Sequence, residues 1–223
     1  LITGVRGSSV QVWENTGRLA SGLSFNNVGP IRSIYSGNTI AFNINPGGAN
    51  LPGFVDMNND GDLDIIFFNS NGSQMEFHKN LSVERTGVCG LDFEERSECW
   101  GDFTESGFNN TIFLDSCRFG NSVPNPESGS GGSIRNLEPD QKSGRGTRRS
   151  KHAGSTVSPV NLGTIGSMDL VIGDIGSRNL KALYNDDSVA PYINSHTTSI
   201  DANFPVYNVP VDLPIFPAAF FLD

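Results

Sequence analysis

Between residues 56 and 64 the chain carries an oxygen-bearing side chain at every second position: Asp56, Asn58, Asp60, Asp62 and Asp64, with Gly61 between the third and the fourth. Carboxylates crowded this closely repel one another unless a cation neutralises them, so the segment is expected to be a loop that wraps an ion. Counted from Asp56, the side chains of Asp56, Asn58 and Asp60 fall at positions 1, 3 and 5, and Gly61 at position 6 permits the sharp turn. The carbonyl of Asp62 supplies position 7, and Asp64 closes the loop at position 9. This all-oxygen set, one member of it a backbone carbonyl, suits Ca2+ better than the smaller Mg2+. The ion's expected part is structural, with affinity in the roughly micromolar to millimolar range of extracellular modules.

The loop runs straight into Ile65-Ile66-Phe67-Phe68, an apolar run that reads as a strand. An EF-hand would have Glu at position 12 and helices on both sides, but position 12 here is Phe67. Asp-x-Asn-x-Asp-Gly-x-x-Asp leading directly into a strand resembles the calcium loop of FG-GAP/VCBS repeats. That resemblance implies an all-β chain whose repeats are blades of a β-propeller.

Copies of such a loop at a fixed period would mark a repeat architecture. Asn161 to Asp169 keeps the loop length, with Gly166 at position 6 and Asp169 at position 9, and runs into Leu170-Val171-Ile172-Gly173-Asp174. Its positions 3 and 5 are Gly163 and Ile165, which offer no side-chain oxygen, so it reads as a loop that kept its turn and lost its metal. The strands also repeat. Leu1-Ile2-Thr3-Gly4 aligns with Ile65-Ile66-Phe67-Phe68 and with Leu170-Val171-Ile172-Gly173, each followed by a second strand that stops at Asn15, Asn80 or Asn185. Each pair is expected to form a hairpin of similar register. Phe220-Phe221-Leu222-Asp223 resembles Gly53-Phe54-Val55-Asp56, which makes Asp223 the first ligand of another loop.

Asn15 and Asn80 are 65 residues apart and Asn161 and Asp223 are 62, against 105 between Asn80 and Asn185, a difference that calls for an insertion of about 40 residues. The expected organisation is a partial ring of about three to four blades. Its units span about 1–53, 54–156 with an insertion at about 89–151, and 157–218, and the next unit begins at 219–223. The insertion opens with Cys89, Cys99 and Cys117 beside Trp100, Phe103 and Phe108, then passes through Ser130-Gly131-Gly132-Ser133 to the basic cluster Lys142, Arg145, Arg148, Arg149 and Lys151. The second part reads as a mobile loop. Structural zinc needs four ligands, usually with short gaps between paired cysteines, and the gaps here are 9 and 17 residues. One local disulfide with one cysteine left over is the better reading, and its pairing is not legible from sequence.

Composition agrees with short strands joined by turns: 26 Gly, 12 Pro, 15 Phe and only 17% charged residues. A net charge of −9 argues against nucleic acid, which needs a cationic face. No apolar run approaches the roughly 18 to 20 residues of a spanning helix, so no transmembrane segment is expected. For catalysis, His78, His152 and His196 lack partners at diagnostic spacing, and Glu94, Glu95 and Glu98 read as a solvated face. Asn71, Asn80 and Asn109 head Asn-x-Ser/Thr patterns of low specificity, and Asp187-Ser188-Val189 is a weak match to an O-glycosylation signal.

Segments such as Cys99-Trp100-Gly101-Asp102-Phe103, His152-Ala153-Gly154-Ser155-Thr156 and Pro210 to Ala219 resemble a VCBS-repeat family of the Bacteroidetes, whose members are large exported proteins that commonly end in a type IX secretion sorting domain. The resemblance implies a secreted or cell-surface location, on the exterior of the outer membrane, and a noncatalytic scaffold for adhesion or for binding a glycan or protein ligand. The alternative is a noncatalytic propeller carried by a larger exported enzyme that degrades polysaccharide or protein.

Overall fold

In the computed structural model the described residues are 2–6 (backbone only), 9–18, 22–47, 49–70, 72–106, 109–117, 155–163, 168–186, 196–214 and 216–220. The basic cluster, Phe108, Asn71, His152, Thr164 to Ser167, Asp187-Ser188-Val189 and Asp223 lie outside them.

Strands β1 (Ile2–Arg6), β2 (Ser9–Asn15) and β3 (Phe25–Pro30) form an antiparallel sheet in that order. Then come β4 (Arg32–Ile34), β5 (Ala41–Asn43), β6 (Gly53–Val55), β7 (Asp64–Phe68), β8 (Met75–Asn80), the five-residue helix α1 (Ser82–Thr86) and β9 (Phe93–Ser97). The meander β6-β7-β8-β9 is antiparallel throughout, and β4 joins it parallel to β9, bringing β5 to the edge of a six-stranded sheet. A separate hairpin is made by β10 (Phe103–Glu105) and β11 (Ile112–Leu114). The last sheet is a second four-stranded meander of β12 (Ser155–Val160), β13 (Asp169–Asp174), β14 (Leu180–Asp186) and β15 (His196–Phe204). The all-β expectation holds, and among the described residues no sheet closes on itself.

The unbroken apolar run of β7 explains how the sheets stack, because a strand with no polar face must be covered on both sides. Ile65 and Phe67 pack with Val10, Val12, Ile31, Ile44 and Phe93, toward the first sheet. Ile66 and Phe68 pack with Met75, Phe77, Trp100, Phe103, Val157, Leu170, Ile172 and Leu183, toward the last. The middle sheet therefore lies between two cores, each built jointly with a neighbour. Burying one such side chain is worth about 1.5–3 kcal/mol.

The register of the repeated hairpins corrects the sequence alignment at one point. Ile65 faces His78 and Leu170 faces Leu183, two residues before Asn80 and Asn185 respectively; in the first hairpin the residue facing Trp13, two before Asn15, is Ile2, so Ile2 rather than Leu1 takes the place of Ile65. The physical reason is a shorter connection, since Arg6 pairs with Ser9 where Phe68 pairs with Met75 and Gly173 with Leu180. Phe93–Ser97, within the span counted as insertion, forms the fourth strand of its sheet. The cysteine-rich segment after it contributes Trp100 and Phe103 to the core, fully buried.

Candidate metal centre at the 56–64 loop

Val55 pairs with Asp64, so residues 56–63 are the connection of the β6-β7 hairpin. Asn59 (φ 59°) and Gly61 (φ 95°) take left-handed conformations that let the chain curl inward. The Asp56 carboxylate accepts the backbone N–H groups of Asp60 (3.1 Å) and Gly61 (2.9 Å). Asp60 accepts the backbone N–H of Asp62 (3.1 Å) and the Asn58 side-chain amide (2.6 Å). The segment is thus the loop expected from sequence, its turn held by its own side chains.

Asp64, the last residue of the pattern, is engaged by the backbone. It is fully buried, and its two oxygens accept the backbone N–H groups of Met57 (3.0 Å) and Asn80 (2.8 Å). The carboxylate clasps the start of the loop to the end of β8. Asp169 repeats this: fully buried, it accepts the N–H groups of Leu162 (3.0 Å) and Asn185 (2.9 Å). Each Asn completes the clasp through its own amide, Asn80 to the Leu63 carbonyl (3.4 Å) and Asn185 to the Met168 carbonyl (2.7 Å). A carboxylate so placed survives in the second loop, which lacks the ligand side chains, because backbone N–H groups buried at a hairpin base must be paired whether or not an ion is present. Burial pushes the Asp64 carboxyl up to about 7, against the opposing effect of its two N–H partners.

The side chains that the structure does gather are Asp60, Asp62 and Glu84, whose donor atoms all lie within 4.8 Å of one another and which can hold a metal ion. Asp56 and Asp64 are outside this group. Glu84 was not singled out by sequence, because it lies beyond the loop in the first turn of α1. Asp62 sets that helix in place, accepting from the Ser82 hydroxyl (2.8 Å) and the Val83 N–H (3.1 Å) through one oxygen. Its other oxygen, Oδ1, is buried with no hydrogen-bond partner, as is Oδ1 of Asn58, and Asp62 is only 4% exposed. Burial raises the Asp62 carboxyl; Asp60, also raised by burial, is held below its ordinary value by the Asn58 amide and the Asp62 N–H. Lys79, at the end of β8, places its ammonium 3.5 Å from Asp60 and in a closer ion pair with Glu84.

Two further groups bring three donors together. In one, fully buried His78 bonds the Ser33 hydroxyl (2.8 Å), stacks on Phe67 and lies 3.4 Å from Glu76, with Glu95 alongside. Glu95 in turn accepts the Ser36 N–H (2.9 Å). In the other, His196 pairs with Asp115 (2.7 Å) beside Asp102. Glu94 is ion-paired with Arg85 and Arg96. The cysteine pairing is Cys99–Cys117, leaving Cys89 as an exposed thiol 3.1 Å from the Gly61 carbonyl. No helix of the described residues is long and apolar enough to cross a membrane. The chain matches no family model, no curated protein and no solved structure.

Proposed function

We propose that the 56–64 loop is a structural calcium site and that the chain is a segment of an exported FG-GAP/VCBS-type propeller, a noncatalytic scaffold that presents loops to a glycan or protein ligand. The observation that carries the ion is the pair of buried oxygens without partners, Asn58 Oδ1 and Asp62 Oδ1, beside three clustered carboxylates. Buried polar atoms are almost always paired, and oxygens left over in an all-oxygen cluster fit a hard cation. Asp60, Asp62, Asn58 and Glu84 would hold it, and the bound ion would supply the positive charge that the cluster lacks. The stacked meanders with a shared clasp at Asp64 and Asp169 support the repeat reading. Loops at the ends of stacked sheets are the usual place for ligand contact on such a frame.

Calorimetric titration with Ca2+ and with Mg2+, paired with thermal melts in calcium and in chelator, tests the ion. Calcium at about 100 times its Kd is expected to add about 2.7 kcal/mol and raise the melting temperature, with Mg2+ weaker. Superimposable melts and a flat titration would remove the calcium site and the inference of repeat type that rests on it. Glycan-array binding in calcium tests the scaffold role.

A further inference from the structure

We propose that Lys79 is the resident counter-cation of this site: its ammonium holds the carboxylates together when no divalent ion is bound, and ion and ammonium exclude one another. The proposal rests on the reading of the loop as a calcium site and concerns how that site is set.

Lys79 is 8% exposed, unusual for a lysine, which is seldom buried without a charged partner. Its backbone pairs with Glu94 inside the sheet, so its stem is anchored there, while its ammonium reaches Asp60 and Glu84. These are two of the three carboxylates whose oxygens converge. One ammonium cancels one of the three negative charges; a dication cancels two. Both cannot occupy the cluster, because a unit charge and a double charge a few ångströms apart in a partly buried site repel twice as strongly as two unit charges would. The ammonium must leave Asp60 and Glu84 as the ion arrives.

Two consequences follow from that exchange. The ion-free loop is not driven apart by its own carboxylates, since Lys79 screens them. Calcium affinity is lowered by the pairs that must break, which keeps the site in the weak range where it empties and fills with external calcium.

The test combines one variant with one measurement on the unaltered protein. Lys79→Met keeps the stem and removes the charge, and is expected to bind Ca2+ at least ten times more tightly by titration calorimetry while melting at a lower temperature in chelator. In the unaltered protein, acetylation of Lys79 by an N-hydroxysuccinimide ester, followed by peptide mass spectrometry, is expected to run several-fold faster in saturating Ca2+ than in chelator, with Lys181 unchanged. The labelling arm decides the matter if the variant does not fold. Calcium binding by the unaltered protein with equal or weaker affinity in Lys79→Met, or with unchanged or slowed labelling, overturns the exchange and leaves the calcium site standing. No binding by either protein overturns both. Binding by Lys79→Met alone supports the exchange, with the lysine as a complete block.

Discussion

At the scale of single residues, the two clasp aspartates separate two jobs that the loop pattern superimposes. Removing the side chain of Asp169 leaves the buried N–H of Asn185 and the half-buried N–H of Leu162 unpaired, so Asp169→Ala should cost about 2–3 kcal/mol in urea unfolding, equally in calcium and in chelator. Asp64→Ala should cost as much in chelator and also blunt the stabilisation by calcium, because the loop is then no longer tied to β8. The Asp64 carboxyl further makes the ion-free protein sensitive to pH. Its value in the fold, about 7, lies above the ordinary 3.8, so its proton favours the folded state. That contribution is complete below about pH 4 and is lost as pH rises through 7. Stability in chelator should therefore fall between pH 4 and 7, by no more than roughly 1.4 kcal/mol per pH unit for this group, and more shallowly in Asp64→Asn.

At the scale of elements, close packing depends on two glycines, one facing the segment after β15 and one at the joint between the middle and last sheets. On Gly173 of β13 a Cβ would stand 1.9 Å from the Pro217 carbonyl oxygen, which the Thr156 hydroxyl also holds at 3.0 Å. On Gly53 of β6 it would stand 2.5 Å from the Pro159 ring of β12. A carbonyl in main chain cannot turn aside as a flexible side chain can, so Gly173→Ala should destabilise by about 2–3 kcal/mol, read from the urea midpoint. Asn50 makes the neighbouring joint: it donates to the Phe68 carbonyl (3.1 Å) and accepts the Ser155 N–H (2.9 Å), linking the middle and last sheets. Such contacts between elements far apart in the chain leave no periodic trace, which is why neither Asn50 nor Glu84 stands out in the sequence, whereas β7 does.

For the whole molecule, stability comes from two cores that meet on the opposite faces of β7, with the Cys99–Cys117 disulfide holding Trp100 and Phe103 into one of them. A bridge spanning 18 residues removes enough freedom from the unfolded chain that Cys99→Ser/Cys117→Ser should lose about 3 kcal/mol in urea unfolding. The exposed thiol of Cys89 is not part of this, and Cys89→Ser should leave the midpoint unchanged.

Local chemistry made a good part of this protein legible from residues alone. Alternating oxygens around Gly61 specify a curled loop, the run Ile65 to Phe68 specifies a strand covered on both faces, and the recurrence of hairpins ending in Asn specifies repeated meanders, because each signal is carried by neighbours in the chain. The partners of those residues were settled only in three dimensions. Asp64 and Asp169 became clasps because strand ends delivered N–H groups to them, and Glu84 and Lys79 joined the carboxylates because β8 and α1 pack beside the loop. The choice of Cys99 with Cys117 followed from which sulfurs the packed hairpin brings into reach, a matter of distance that spacing along the chain does not encode.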